Sequence, residues 1–384
     1  MGSGICRVVL AVAALYVVLS TCLCTAASNA EQQVTEKSCN VYVGKWVYDE
    51  SYPLFNSTKC PFIRKEFDCS KYGRPDDQYL KYRWQPDDCD LPRFDGLQFL
   101  RRLRGRKIMF IGDSTSLNQW QSLTCLLYTA VYGSNVTQEQ DHLTFTVAFQ
   151  NKNRRMVQEY GVSVMYFSSQ YLVDIEKEEF GQVLKLNSLK KGDTWKQVDV
   201  LVFNTWLWWY RKGSKKLWDY IEDDGIIVKD MDRMVAFSKA LMTWAKWVES
   251  DVDFYRTKVF FRGISPSHYN GWEWNKRGVT NCGKETRPII GSTYSTGMPK
   301  AASVVKDIVS SNICSSKSVH LLDITTLSQL RKDGHPSAYN GFQGMDCTHW
   351  CVAGIPDTWN QLLYSRLLEE DIQDGPDYFT ADYF

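Results

Sequence analysis

The chain of 384 residues is 44% hydrophobic and 23% charged, enough apolar matter for a sizeable core, which excludes a disordered protein. Its 45 basic and 44 acidic residues are interspersed and leave a net charge of +1, so no long-range field directs it to nucleic acid or to an anionic membrane surface. The one dense basic run, Arg101, Arg102, Arg104, Arg106 and Lys107, leads straight into an apolar strand and reads as the solvated entry of that strand.

At the N-terminus, Arg7 precedes a nearly uncharged stretch from Val8 to Ala27. Residues 1–30 fit a signal peptide, cleaved near the small residues Thr25 and Ala27 or Ser28 and Ala30. They also fit a signal anchor, since about 20 apolar residues span a bilayer. Uncleaved, this segment would tie the protein to a membrane; both forms enter the secretory pathway. Nine of the 12 cysteines lie beyond it: Cys39, Cys60, Cys69, Cys89, Cys125, Cys282, Cys314, Cys347 and Cys351. In an oxidising lumen most should pair, and the odd count leaves one over. Cys347, His349 and Cys351 lack a CxxC pair or second histidine cluster to complete a zinc site, so no metal is expected. Asn56 in Asn-Ser-Thr and Asn135 in Asn-Val-Thr are glycosylation acceptors.

Residues 39–99 are rich in Cys, Pro, Asp and aromatics with little periodicity, and predict a loop-rich lobe held by disulfides. Residues 100–384 change texture to short apolar runs alternating with amphipathic stretches, the pattern of an α/β domain with a mostly parallel sheet. The predicted strands are Lys107 to Ile111, Val162 to Phe167, Val198 to Phe203, Lys258 to Phe261 and Val319 to Ile324. Helices are predicted over Thr115 to Tyr128, Met231 to Val252, and from Pro356, an N1-type proline, to Leu368.

The first strand breaks at Gly112-Asp113-Ser114 and a helix follows. Ser114 therefore sits at the carboxyl end of a strand and at a helix N-terminus, where backbone N–H groups and the helix dipole favour a developing oxyanion. A serine hydroxyl needs an oriented base. Of five histidines, His142 lies in a polar segment, His320 in a strand and His335 in the turn Asp-Gly-His-Pro, whereas His349 follows Asp346 by three residues before a helix. That spacing can set the Asp346 carboxylate beside the His349 imidazole. The bland alternative is that Asp346 only caps a turn while His349 packs beside Cys347 and Cys351. Asn204 and Arg262 end two further strands and converge on the same rim; with Gly112 they are the candidate oxyanion and substrate residues, a strand-ending turn and an ion pair being the structural alternatives for Asn204 and Arg262.

Trp206, Trp208, Trp209, Trp272 and Trp274 sit on post-strand loops, where a few of the 14 tryptophans could stack on sugar rings while most pack in the core. Asp230-Met-Asp232 and Asp251-Val-Asp253 match a glycosyltransferase Asp-x-Asp by letters, but both flank a predicted helix and read as helix-end charges.

Phe110-Ile-Gly-Asp-Ser-Thr-Ser-Leu-Asn-Gln-Trp120, Phe203-Asn-Thr-Trp206, Gly263-Ile-Ser-Pro-Ser-His-Tyr269 and Asp346-Cys-Thr-His-Trp350 together resemble the trichome birefringence-like proteins of plants. The resemblance runs from Cys39, through Cys60-Pro-Phe-Ile and Phe67-Asp-Cys, to the final helix. It implies an SGNH-hydrolase-like parallel sheet flanked by helices, and Golgi O-acetylation of wall polysaccharide such as xylan through an acetyl-serine. The protein would then be a single-pass type II membrane protein with Ser114, Asp346 and His349 as its triad. An acetyl donor and a polysaccharide acceptor would be its partners, with no bound cofactor. Thr115-Ser116-Leu117-Asn118 replaces the family's frequent Leu-Ser-Arg-Asn, and with the compact stem this resembles a shorter subgroup that includes pectin-modifying members. The same residues would serve a pectin or xylan acetylesterase if water replaced the sugar, and a cleaved leader would export the protein to the wall. The resemblance also implies disulfides Cys39–Cys89, Cys60–Cys125, Cys69–Cys351 and Cys282–Cys347, leaving Cys314.

Overall fold

The computed structural model describes residues 39–131, 135–140, 144–150, 160–311 and 319–370. Segment 1–30, His142 and Cys314 lie outside them. In chain order the elements are β1 (Gly44–Tyr48), β2 (Tyr82–Pro86), α1 (Gly96–Arg102), β3 (Lys107–Gly112), α2 (Ser114–Ala130), β4 (Asn135–Gln140), β5 (Thr144–Gln150) and β6 (Val162–Ser168). There follow β7 (Asp174–Glu178), β8 (Gly181–Lys185), β9 (Val200–Phe203), β10 (Tyr220–Asp223), β11 (Ile226–Val228), α3 (Arg233–Asp251), β12 (Lys258–Arg262), α4 (Lys300–Ser311), β13 (Val319–Leu322), α5 (Thr325–Gln329) and α6 (Ile355–Glu370).

A seven-stranded sheet of order β13-β12-β9-β3-β6-β5-β4 forms the centre. From β13 to β6 every pairing is parallel; β5 and β4 then run antiparallel to their neighbours. The apolar runs explain why this sheet is covered on both sides. Side chains alternate along a strand, so Ile108, Phe110, Val200, Val202 and Phe260 face one core with Trp120, Leu123, Trp359 and Leu363 of α2 and α6. Met109, Ile111, Leu201, Phe203 and Phe261 face the other, against Phe237, Leu241 and Trp244 of α3 and Val305 and Ile308 of α4. After β3 the chain builds β6 on one side and then crosses to β9 on the other, so the carboxyl end of β3 is the switch point of the sheet, where crevices open in such folds.

The five predicted strands and three predicted helices are all present with ends moved by a residue or two. β9 opens at Val200 because Asp199 turns its carboxylate onto the Lys107 N–H at 2.8 Å. β13 closes at Leu322 because Ile324 folds back onto the Leu322 carbonyl at 2.8 Å. The lobe is less irregular than its composition suggests: β1 and β2 pair with Trp46 opposite Trp84 and Tyr48 opposite Tyr82, both pairs edge-to-face. A second sheet of order β11-β10-β8-β7 was not predicted. The basic run lies around the amino end of β3, away from the switch point, and Arg102 donates to the Leu368 carbonyl at 3.1 Å. Asp232 caps α3 through the Met234 and Val235 N–H groups, Asp230 pairs with Arg233, and Asp251 pairs with Lys196, so these aspartates serve helix ends. Among the described residues no helix is long and apolar enough to cross a membrane.

The four disulfides Cys39–Cys89, Cys60–Cys125, Cys69–Cys351 and Cys282–Cys347 are formed. Two of them fasten the lobe to the sheet domain, at α2 and at the loop before α6. Cys69–Cys351 spans 282 residues of sequence, so it removes much of the freedom of the unfolded chain. Replacing both cysteines by serine should cost about 2–5 kcal/mol of stability, read as a lowered urea midpoint, with activity falling before global unfolding because Cys351 adjoins the site.

Candidate active site

The switch point is built by close approach of two loops. β3 ends at Gly112, and a Cβ there would lie 2.1 Å from Asn204 Oδ1 and 2.5 Å from the Asn204 carbonyl oxygen. Only glycine lets the loop after β9 press on the Gly112–Ser114 turn. Gly112→Ala should therefore lower the melting temperature by several degrees and reduce activity at least tenfold, which thermal unfolding beside an ester-cleavage assay would measure. Asp113 caps α2: its Oδ1 accepts from the Thr115 N–H at 2.9 Å and the Thr115 hydroxyl at 2.6 Å, and its Oδ2 from the Leu207 N–H at 3.3 Å. Ser114 is thereby set as the first residue of α2, half-buried, at the positive end of the helix dipole.

The second half comes from the loop before α6. His349 Nε2 lies 2.7 Å from Ser114 Oγ, and His349 Nδ1 lies 2.7 Å from Asp346 Oδ2. The other oxygen of Asp346 accepts the backbone N–H groups of Thr348 at 2.9 Å and His349 at 3.0 Å. Burial opposes ionisation of Asp346. The hydrogen bonds from the His349 ring and from these two N–H groups, together with the imidazole charge, outweigh it and hold the carboxyl well below the usual carboxylate range. A carboxylate only accepts, so the His349 hydrogen sits on Nδ1 and leaves the Nε2 lone pair facing the Ser114 hydroxyl. The structure thus brings Ser114, His349 and Asp346 into one relay.

Other predicted residues take different places. Asn204 is buried with its Nδ2 on Asp113 Oδ1 at 3.3 Å and on Thr115 Oγ1 at 3.2 Å, while its Oδ1 accepts from the Ser116 hydroxyl. Its amide thus braces the Asp113–Ser116 turn that carries Ser114. Arg262 is 1% exposed, donates to the Thr115 carbonyl at 2.7 Å and stacks over Trp359 at 4.7 Å. Full burial pushes its guanidinium down to about 10, against the pull of Asp113. The substrate contact expected of Arg262 is corrected on this burial: it supports the α2 entry. Cys347 and Cys351 are both in disulfides, so the letters Cys347, His349 and Cys351 do not form a metal ligand set. Trp209 and Trp274 are core, Trp206 and Trp208 are half-buried, and Trp272 is exposed. Asn56 is exposed and caps a short turn through the Thr58 N–H at 3.0 Å; Asn135 begins β4, with its side chain outside the described set.

Several supports of the triad carry no signal of their own in the sequence. Asn118, one turn after Ser114, exchanges two hydrogen bonds with the backbone of Trp350, at 2.9 and 3.1 Å, and so fixes the loop to the helix. Its place at helical spacing from Ser114 was the available clue. Ser267 meets Thr348 at 3.0 Å, and the Tyr269 hydroxyl donates to the Met345 carbonyl and accepts from the Cys347 N–H. The Phe67 ring from the lobe packs 5.4 Å from that of His349.

Residues 91–366 match the GDSL/SGNH-like acyl-esterase family found in Pmr5 and Cas1p, known as PC-esterase, and residues 37–90 match the PMR5 N-terminal domain. Trichome birefringence-like 38 of Arabidopsis thaliana is 51% identical, over 88% of this chain and 86% of that protein. Trichome birefringence-like 39 of the same plant is 48% identical, over 89% and 91%. Xylan O-acetyltransferase 6 of Oryza sativa subsp. japonica is 37% identical, over 86% of this chain and 62% of that protein. The chain therefore belongs to the trichome birefringence-like family, with an SGNH-like PC-esterase domain as its α/β core.

Proposed function

We propose that this chain is an O-acetyltransferase that moves acetyl groups onto cell-wall polysaccharide through an acetyl-serine. The observation that carries the reading is the 2.7 Å and 2.7 Å relay from Ser114 through His349 to Asp346. Ser114 Oγ attacks the acetyl carbonyl as its proton passes to His349 Nε2, and His349 returns that proton to the departing donor group. A sugar hydroxyl then attacks the acetyl-serine and gives its proton to His349, which restores the Ser114 hydroxyl as the new ester leaves. Asp346 stays ionised and holds the imidazolium. The donor is a diffusible acetyl compound, and no resident cofactor enters the scheme. The rice relative's name, a xylan O-acetyltransferase, supports xylan or a related wall polysaccharide as acceptor.

Acetylesterase activity is the second reading. The side chains of His349 and Asp346 are 22% and 19% exposed, so water has a path to the acyl-enzyme unless the acceptor covers it. Four disulfides support an oxidising compartment, and the reading extends to a single-pass type II protein of the Golgi membrane, or to the wall if segment 1–30 is cleaved. Mass spectrometry of the mature N-terminus separates these two locations.

The test incubates purified protein with an acetyl donor and, in turn, xylan, pectin and glucan oligosaccharides, scoring acetylated product beside free acetate. Acetylated oligosaccharide supports transfer and names the acceptor. Acetate released from acetylated polymer without transfer makes the chain an esterase.

A further inference from the structure

Two histidines without a part in the relay lie packed together beneath it. His268 is 0% and His335 2% exposed. His268 Nδ1 and His335 Nε2 are 2.6 Å apart. Each outer nitrogen ends on a main-chain carbonyl: His268 Nε2 on Gln329 at 2.9 Å, and His335 Nδ1 on His349 itself at 2.6 Å.

Hydrogen counting decides the state of this pair. A carbonyl oxygen only accepts, so both outer nitrogens must carry a hydrogen. The nitrogen–nitrogen contact needs one more, because two facing lone pairs at that distance would repel. Three contacts require three hydrogens, and two neutral imidazoles supply two. We infer that His268 and His335 share one additional proton, and that this buried imidazole–imidazolium pair positions the general base by holding the carbonyl of His349. The second half rests on the triad reading above; the proton count does not.

The surroundings suit a cation. The Trp350 ring stacks on His335 with centroids 4.1 Å apart and planes at 27°, presenting its negative face; the Trp274 and Tyr294 rings pack against His268 at steep angles of 64° and 79°. Asp333, ion-paired with Arg331 at 2.9 Å, and Glu285, paired with Lys332 at 2.6 Å, favour charge on His268 against the opposing Lys332; Asp346 favours it on His335 against His349. Arg74 donates to the carbonyls of Asp333 and His335 at 2.7 and 3.0 Å. Burial works against the charge and drives His268 down to about 4 and His335 well below its ordinary value. Against burial stand both carbonyls. That of Gln329 ends α5 and needs a donor, as does that of His349, and loss of the proton strands one of them inside the protein. All three contacts are therefore closed at low pH, and as pH rises through the apparent pKa of the pair the remaining two hydrogens are shared among them, so the hold on the His349 carbonyl weakens.

The test uses the complete chain with 15N-labelled histidine. With the protein brought to pH 4, the ring spectrum should show three protonated nitrogens shared by His268 and His335, with a far-downfield proton between the rings that disappears in His268→Gln. Two protonated nitrogens at that pH would overturn the shared proton, whatever the activity proves to be. For positioning, His335→Leu should lower the rate of acetyl-serine formation from p-nitrophenyl acetate about 10²-fold with KM unchanged. His335→Gln, which keeps a donor for the His349 carbonyl, should regain most of that rate and lose the alkaline decline attributed to the pair. Equal rates for the Leu and Gln variants would sink the positioning role. A Ser114→Ala protein that still formed acyl-enzyme would instead sink the triad reading and leave the proton count standing.

Discussion

Ser114→Ala should abolish acetyl transfer, by about 10⁴-fold or more, while the protein keeps its fold. The hydroxyl is the only group of that side chain that meets His349, at 2.7 Å, and it lies at a half-buried site where losing one oxygen leaves no cavity in the core. Its partner keeps its hydrogen bond to Asp346, so the imidazole stays in place. The variant should melt within a few degrees of the parent and give no burst of p-nitrophenol. Activity retained at parental level would require another nucleophile and end the acyl-serine scheme.

Asp346→Asn should cost nearly as much, about 10⁴-fold in kcat, for a different reason. An asparagine oxygen can still accept the Thr348 and His349 N–H groups, so the turn should survive. Its amide would however present hydrogens to His349 Nδ1, force the ring hydrogen onto Nε2, and turn the base into a donor toward Ser114. The pH dependence of stability supplies a second reading of the same residue. The Asp346 carboxyl is depressed in the folded protein, so its stabilising contribution is present above the unfolded value of about 3.9 and is lost as pH falls through the lower folded value. The stability difference between parent and Asp346→Asn should stay level from about pH 5 to 8 and shrink below about pH 4. A difference that grew toward acid would contradict the ionised state of Asp346.

The buried sheet was the readable part of this fold. Strands such as Val200–Phe203 are covered on both faces, so every residue is apolar and the run stands out by composition alone. The sheet of β7, β8, β10 and β11 is a different case. Its strands are short and charged, and Lys185 bridges Glu176, Glu178 and Glu222 across them, a stabilisation that leaves no apolar period to find. Helix α4 was absent from the predicted elements although Ala301, Val305 and Ile308 recur at helical spacing; its length of 12 residues and its polar faces make it weak beside the flanking strands. At the site, two local features could be read, the strand-to-helix turn that carries Ser114 and the three-residue step from Asp346 to His349, whereas the 235-residue separation of Ser114 from His349 is closed only by folding. Asn204 and Arg262 stood out as strand-end residues, but their contacts and those of His268 and His335 could not be read, because the partners lie 88, 147, 67 and 14 residues away.

Ser114 and His349 are 235 residues apart in the chain, and His349 is carried on a loop tied to the N-terminal lobe by a bridge between positions 69 and 351. During synthesis Ser114 emerges long before His349 exists, and domains fold from the N-terminus onward as the chain appears. Under the proposed acyl-serine scheme, acylating power is therefore the last property the protein acquires, and a newly made chain would pass through its earlier stages chemically silent.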